Sequence, residues 1–217
     1  MLTEKAFSFT LLLLLCLHFG LNVQSNDTNE IYYISLGDSF AAGVEITGPP
    51  PGSRTTPAYS YANALYDLLK VKYSNLELLK LGISGETSDG LIEYQLNNAT
   101  DFMTSHKGLT KFITITIGAN DIHRTHLINN LNNTIIPQLK EAGGENVQYM
   151  ASTYYKNTSL AYNLIDVYGK NGFKVVDLRT IITNDTLCNY TYLCTYNDIH
   201  LNEAGNRAVG EGFFAIL

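Results

Sequence analysis

Four short polar motifs in this 217-residue sequence contain the residue types that acyl-transfer chemistry requires. In chain order they supply Ser39, Gly85, Asn120 and His200. A hydroxyl nucleophile, a general base and hydrogen-bond donors for an oxyanion are the groups that promote attack on a carbonyl carbon. The four motifs together therefore predict nucleophilic attack on a carbonyl compound.

Each of the first three motifs also has a plain structural explanation. A serine at a strand-to-helix turn, as in Gly37–Gly43, is held out of the sheet, and the helix N-terminus favours developing negative charge there. Gly85 can bring a backbone N–H close to a reacting carbonyl, and Asn120 can donate a side-chain N–H. Taken singly, the motifs are as typical of a turn, a loop glycine and a helix cap.

The fourth motif offers a base together with an acid that can orient it. His200 follows Asp198 by two positions, just before a predicted terminal helix. An imidazole with a carboxylate on its second ring nitrogen can act as a general base. A histidine in a surface loop is the alternative.

Two other histidines compete with His200 for this role. The tetrapeptide Asn-Asp-Ile-His occurs twice, ending at His123 and at His200, and His126 lies close to the first copy. We predict that His200 is the base, because one short loop cannot easily supply both Asn120 and the base.

The predicted elements place these motifs at one edge of a sheet. Apolar runs of strand length are found near residues 31–36, 76–81, 111–117, 146–152 and 173–176. Helical patterns between them imply right-handed crossovers and a parallel sheet covered by helices on both faces. Ligands bind beyond the carboxyl ends of the strands in such a sheet, where the motifs lie.

The predicted helices and loops complete this α/β pattern. Val44–Pro57 is predicted to be a loop, and Thr56-Pro57 to open a helix that ends near Tyr73. We expect the loop to influence which acyl chain and alcohol are accepted. The other helices are predicted near residues 88–96, 127–142 and 160–171, and from about residue 203 onwards.

The N-terminal 25 residues are predicted to be a signal peptide. Lys5 precedes the apolar run Leu11–Leu15, which is too short to span a membrane, and small residues at Val23 and Ser25 fit a cleavage site. Residues 26–217 would then form one secreted, extracellular domain without a stable membrane anchor, and we expect it to be a monomer.

A secretory route is also indicated by sequons and cysteines. The six Asn-X-Ser/Thr sites are at Asn26, Asn98, Asn132, Asn157, Asn184 and Asn189. Chance in an Asn- and Thr-rich sequence is the alternative. Cys188 and Cys194 form an even pair in the mature chain, which favours a disulfide over two free thiols.

Charge and composition exclude several classes of partner. The formal net charge of −6 argues against a nucleic-acid groove and against docking on anionic lipid. The sequence has no phosphate-binding glycine loop and no metal-ligand cluster, so we predict no cofactor and no metal.

The four motifs resemble those of the SGNH/GDSL hydrolases, which carry Ser, Gly, Asn and His in this order. The matching stretches are GDSFAAG, GISGETS, GAND and DIHLNEAGNRA. The resemblance implies a flavodoxin-like three-layer α/β/α sandwich with a five-stranded parallel sheet. It also implies esterase or lipase chemistry without a metal.

The resemblance further implies roles for individual residues. Ser39 would be the nucleophile and His200 the base, and the oxyanion hole would consist of Ser39, Gly85 and Asn120. The family usually has its acid three positions before the histidine, which is Asn197 here. Asp198 is therefore the first candidate for the acid and Asn197 the second.

The resulting hypothesis is a secreted serine hydrolase that cleaves carboxylic esters, of lipids or small acyl groups, through an acyl-enzyme. A carbohydrate deacetylase of the same fold is an alternative. A third possibility, from another class, is a non-catalytic secreted binding protein on a hydrolase scaffold.

Overall fold

The structure, a computed structural model, describes residues 30–217. The predicted signal peptide and the sequon at Asn26 lie outside the described residues.

A five-stranded, all-parallel sheet forms the centre of the molecule. The strands of the described residues are β1 (Ile31–Gly37), β2 (Glu45–Thr47), β3 (Ser53–Thr55), β4 (Leu76–Lys80), β5 (Thr110–Thr116), β6 (Gln148–Ser152) and β7 (Lys174–Val176). The order in the central sheet is β4-β1-β5-β6-β7. Counted within the sheet alone, this is 2-1-3-4-5, the flavodoxin-like order. The predicted fold class is thereby confirmed.

Helices cover both faces of this sheet and complete the three layers. They are α1 (Ser39–Ala42), α2 (Tyr61–Lys72), α3 (Ser88–Gly90), α4 (Asn97–Ser105), α5 (Arg124–Asn130), α6 (Ile136–Gly143), α7 (Thr158–Lys170), α8 (Leu187–Tyr190), α9 (Leu193–Tyr196) and α10 (Glu203–Ala215). Helix α2 packs on α10, and α4 packs on α6. The strand side chains between these layers, such as Ile34 and Ile113, are fully buried.

The segment predicted as the loop Val44–Pro57 contains a hairpin instead. Strands β2 and β3 pair antiparallel, with Ile46 opposite Arg54. Ile46 is buried while its neighbours on both sides are exposed, so one side chain anchors an otherwise polar ribbon. The strands are only three residues long, which is too short for a period-2 pattern to identify them from sequence.

The helix predicted to open at Thr56-Pro57 begins later, at Tyr61. Ser60 is its N-cap and accepts a hydrogen bond from the Ala62 N–H. The Asn63 side chain accepts one from the Ser60 N–H, which completes a capping box. These two side chains fix the start of the helix more strongly than the proline does.

Two of the predicted helices contain a π-helical turn and extend beyond their predicted bounds: the helix predicted near residues 88–96 continues to Ser105, and the one predicted near residues 127–142 begins at Arg124 and ends at Gly143. Helix α3 runs through Leu91–Leu96 into α4, and α5 runs through Leu131–Ile135 into α6. A π turn rotates the following residues relative to an α-helix, which breaks the apolar period that a sequence reading relies on.

Candidate active site

The turn after β1 exposes Ser39 at the carboxyl edge of the sheet. Gly37 ends β1 with φ of +135°, and a Cβ there would lie 2.1 Å from the Thr116 carbonyl oxygen. The Asp38 N–H donates to that same oxygen at 2.9 Å. The Asp38 carboxylate also caps α1 by accepting from the Phe40 N–H. Only glycine fits at position 37, so the strand turns abruptly and presents Ser39 as the first residue of a short helix.

A buried glutamine that sequence reasoning missed holds this turn from below. Gln95 accepts a hydrogen bond from the Gly37 N–H at 2.9 Å and donates to the Gly37 carbonyl at 2.8 Å. It lies in the π-helical turn Leu91–Leu96 and is 1% exposed. The sequence signal that could have identified Gln95 is a polar residue on the apolar side of a predicted helix. Because its amide matches both backbone groups, Gln95 fixes the strand end that precedes the serine.

The structure brings Ser39, His200 and Asp198 into one hydrogen-bonded row. The Ser39 Oγ lies 2.9 Å from His200 Nε2, and His200 Nδ1 lies 2.6 Å from the Asp198 Oδ1. The same Oδ1 accepts from the His200 backbone N–H at 2.9 Å. This is the local turn in which an aspartate bonds to the backbone two residues on, and it explains how an acid two positions before the histidine reaches the ring.

Asn197, the other candidate for the acid, lies apart from the imidazole. It has a left-handed backbone with φ of 53° and ends α9. Its side chain is exposed, and within residues 30–217 no hydrogen bond joins it to His200. The geometry therefore favours Asp198.

Burial and hydrogen bonding act in opposite directions on Asp198. Burial alone would raise the pKa of this carboxyl, but donors from the His200 backbone, the His200 ring and Arg54 hold the pKa below its usual range. Arg54 contacts the second carboxylate oxygen, Oδ2. Asp198 is therefore a carboxylate at neutral pH, with a partner on each oxygen.

Asn120 links the second and third motifs. Its Nδ2 donates to the Glu86 carbonyl at 2.8 Å, which uses one of the two N–H groups of the amide and leaves the other for a ligand. Gly85 has φ of +85° and open space where a Cβ would be. The glycine is thus required by its backbone conformation, and its position next to Glu86 keeps it near Asn120.

The competing histidines do not reach the serine. His126 Nε2 pairs with Asp89, at 2.7 Å from Oδ1, and its side chain is 54% exposed. His123 precedes α5 as an exposed residue. Neither histidine lines the cavity beside Ser39.

A cavity of about 200 Å³ opens beside the serine. Its lining is formed by Ser39, Phe40, Ala119, Asn120, Tyr154, Tyr155, Lys156, Asn157, Leu160, Ile199 and His200. Three of the four motifs thus contribute a residue, whereas Gly85 does not. The cavity is below the roughly 300–1,000 Å³ typical of pockets for drug-sized ligands. A small apolar group held next to Ser39 suits it best.

A buried carboxyl with a raised pKa, that of Asp38, lies next to Ser39 in the chain. Burial raises the pKa of Asp38 to about 7, although donors from Tyr154 and the Phe40 backbone oppose the shift. The Tyr154 hydroxyl donates to Asp38 Oδ2. The raised pKa means that the folded protein binds a proton here that the unfolded chain releases at lower pH.

Asp38→Asn is therefore expected to flatten the pH dependence of stability. The proton on Asp38 stabilises the native protein below about pH 4, where both states are protonated, and this advantage is lost as pH rises towards about 7. Relative to the variant, the parent should lose at most about 4 kcal/mol of unfolding free energy across this window. Urea unfolding at pH 4, 5.5, 7 and 8.5 measures this difference. Asp101→Asn, at an exposed helical position, is the control and should follow the parent; parallel curves for Asp38→Asn would contradict the prediction.

Within residues 30–217, no group of three or more His, Cys, Asp or Glu side chains is placed to hold a metal ion. Over the same residues, no helix has both the length and the apolar character needed to cross a bilayer.

The sequence and the fold were both compared with known proteins. Residues 35–208 match the model of a family described as GDSL-like Lipase/Acylhydrolase. No curated protein matches the sequence significantly.

Solved structures share the fold at low sequence identity. A GDSL-like lipase from Parabacteroides merdae superposes with a TM-score of 0.66 at 13% identity, covering 86% of this chain and 95% of that one. The acetylxylan esterase Axe2 from Geobacillus stearothermophilus gives 0.62 at 14% identity, over 85% and 93% of the two chains. An extracellular lipase from Streptomyces rimosus gives 0.56 at 16% identity, over 86% and 100%.

Proposed function

We propose that Ser39, His200 and Asp198 are the catalytic triad of this protein. The premise is that the chain belongs to the GDSL-like lipase/acylhydrolase family and is therefore a carboxylic ester hydrolase. The observation that carries the proposal is the unbroken row of hydrogen bonds from Ser39 Oγ through the His200 ring to Asp198, beside a cavity. A separated Ser39 and His200 would have favoured the non-catalytic hypothesis, and their 2.9 Å contact gives it no support.

The proposed reaction starts with proton transfer from Ser39 Oγ to His200 Nε2. The oxygen forms a bond to the ester carbonyl carbon, and the carbonyl oxygen becomes an oxyanion. Asp198 accepts a hydrogen bond from the protonated Nδ1 of His200 and stabilises the imidazolium. His200 then gives its proton to the departing alcohol, and water repeats the sequence on the acyl-enzyme.

The oxyanion hole is proposed to consist of the Ser39 N–H, the Gly85 N–H and the free N–H of Asn120. The bond from Asn120 to the Glu86 carbonyl fixes the amide plane and the neighbouring Gly85 loop together. One such donor lowers the barrier by about 3–4 kcal/mol in comparable sites.

The proposed substrates carry short acyl groups. The cavity of about 200 Å³ has Phe40, Tyr154, Tyr155 and Leu160 among its lining residues, and its small volume leaves little room for a long chain. A carbohydrate deacetylase fits the same cavity, because an acetyl group is the smallest acyl group of this kind. Axe2, whose fold this chain shares, is described as an acetylxylan esterase.

We also propose that residues 26–217 form a secreted glycoprotein domain after removal of residues 1–25. All five described sequon asparagines are exposed: Asn98, Asn132, Asn157, Asn184 and Asn189. A Cys188–Cys194 disulfide is part of this proposal, supported by Cα atoms 5.3 Å apart at exposed positions before Asp198. Exposed sequons and a paired cysteine couple are what an oxidising secretory pathway would use.

Hydrolysis of p-nitrophenyl acetate, butyrate and palmitate by the secreted protein tests the ester specificity. We expect at least a tenfold higher kcat/KM for the acetate or butyrate, because a longer chain must leave the cavity and lose apolar contact. The same preparation after treatment with a fluorophosphonate is the control. Release of acetate from acetylated xylan in preference to the nitrophenyl esters would favour the deacetylase. Inactivity on all four substrates would contradict the proposal.

A further inference from the structure

The hairpin β2–β3 is docked firmly against the segment that leads to Asp198. The Tyr196 hydroxyl donates to the Gly48 carbonyl at 3.0 Å. A Cβ on Gly52 would come within 3 Å of the Ile46 side chain and the Tyr196 ring, so the ribbon and the ring are in close contact. The position of β3 relative to Asp198 is therefore set by packing.

This docking brings a cation to the carboxylate of the proposed triad. Arg54, on β3, donates through Nη2 to Asp198 Oδ2, across 144 positions of sequence. The other carboxylate oxygen, Oδ1, accepts from the His200 ring and backbone. The Arg54 side chain is 53% exposed and that of Asp198 only 9%, so the ion pair is open to solvent on the arginine side alone.

We propose that Arg54 is a positioning residue of the triad, which locks the Asp198 carboxylate with Oδ1 towards His200 and offsets part of its negative charge. The inference rests on the proposed function of these residues. With Oδ2 bound by the guanidinium, the carboxylate cannot rotate away from the ring. Removal of the guanidinium would take away the positive charge that faces the Asp198–His200 pair from β3.

Tyr155 is a further titratable group near Asp198, and it keeps its proton over the assay range. Burial, and then the charge of Asp198, raise the pKa of Tyr155 to about 12, so this hydroxyl stays neutral in any ordinary assay. Tyr155 donates to the Ile199 carbonyl at 2.7 Å and thereby holds the loop between Asp198 and His200. Arg54, on β3, therefore contributes a positive charge to Asp198 from another element of the fold.

The pH profile of kcat/KM separates positioning from plain structural support. In Arg54→Gln the acidic limb should move to higher pH by about half a unit, because the base is protonated more readily once the guanidinium is gone. The shift is smaller than in a buried site because solvent screens the half-exposed arginine. Arg54→Lys should return most of the limb position, since the ammonium restores the charge without the planar fork.

Two further variants serve as controls. Tyr196→Phe removes a hydrogen bond that docks the hairpin but keeps the guanidinium, so the limb should stay in place. Ser53→Ala changes an exposed residue beside Arg54 and should leave activity and limb unchanged. Circular dichroism and melting temperature confirm that each variant is folded.

The outcomes distinguish this inference from the proposed function. A limb that stays in place in Arg54→Gln, or moves equally in Ser53→Ala, would overturn the role of Arg54 while leaving the triad intact. A parent protein that neither hydrolyses p-nitrophenyl butyrate nor reacts with a fluorophosphonate at Ser39 would overturn the proposed function itself.

Discussion

Ser39→Ala is expected to lower kcat for p-nitrophenyl butyrate by about 10⁵- to 10⁶-fold, as removal of the nucleophile does in other serine hydrolases. Alanine cannot form the acyl-enzyme, and a water would have to attack without the position that β1 and α1 give to the serine oxygen. The residual rate comes from substrate binding and the oxyanion donors. A stopped assay at high enzyme concentration measures it.

The control for this variant is a second serine that also contacts a histidine. Ser105 Oγ lies 3.1 Å from His106 Nδ1 at the exposed end of α4, outside the cavity. Ser105→Ala should keep the parent activity. Fluorophosphonate labelling, mapped by peptide mass spectrometry, should find the adduct on Ser39 alone. An active Ser39→Ala protein, or a label elsewhere, would remove Ser39 as the nucleophile.

Asp198→Asn is expected to lower kcat by about 10³- to 10⁴-fold. An amide in place of the carboxylate favours the wrong imidazole tautomer and leaves the imidazolium without a counter-charge. The variant also leaves Arg54 without its ion-pair partner. Because donors from His200 and Arg54 hold the pKa of Asp198 below its usual range, the parent should keep its charged acid through the whole pH range of activity.

Asn197→Gly separates the two candidates for the acid. Position 197 has a left-handed backbone, with φ of 53°, which glycine adopts without strain. The variant therefore removes only the side chain, and kcat should stay within about twofold of the parent. A loss as large as that in Asp198→Asn would instead assign the orienting role to Asn197.

Much of the fold could be predicted from the sequence, because the buried strands of a parallel sheet have a strong local signature. The strands β1, β5 and β7 begin and end within two residues of the predicted runs, since each is a short apolar stretch next to glycine or polar residues. Strand–helix alternation then left few topologies. The hairpin β2–β3 and the short helices α8 and α9, which contain Cys188 and Cys194, were missed because such short elements are held by tertiary contacts.

The residues that support the site could not be predicted, because each acts on a partner far away in sequence. Gln95 binds Gly37 across 58 positions, Tyr154 binds Asp38 across 116, and Arg54 binds Asp198 across 144. Glutamine, tyrosine and arginine are common surface residues, so their types alone carry no signal. Only the packing of the elements determines which of them reaches a motif.

The chemical groups of the four motifs, and the sheet edge to which they belong, could be predicted from the amino-acid sequence because residue types and strand periodicity are local properties. Only the tertiary structure shows which copy of Asn-Asp-Ile-His lies against Ser39. The copy that ends at His123 is followed by His126, which pairs with Asp89. The copy that ends at His200 brings that ring within hydrogen-bond distance of Ser39.

Beyond the local turn that joins Asp198 to the His200 backbone, the tertiary structure brings Arg54 to the second carboxylate oxygen. These contacts join residues that are far apart in sequence. Their distances are set by the way the α/β/α layers pack, and a local sequence pattern does not contain that information.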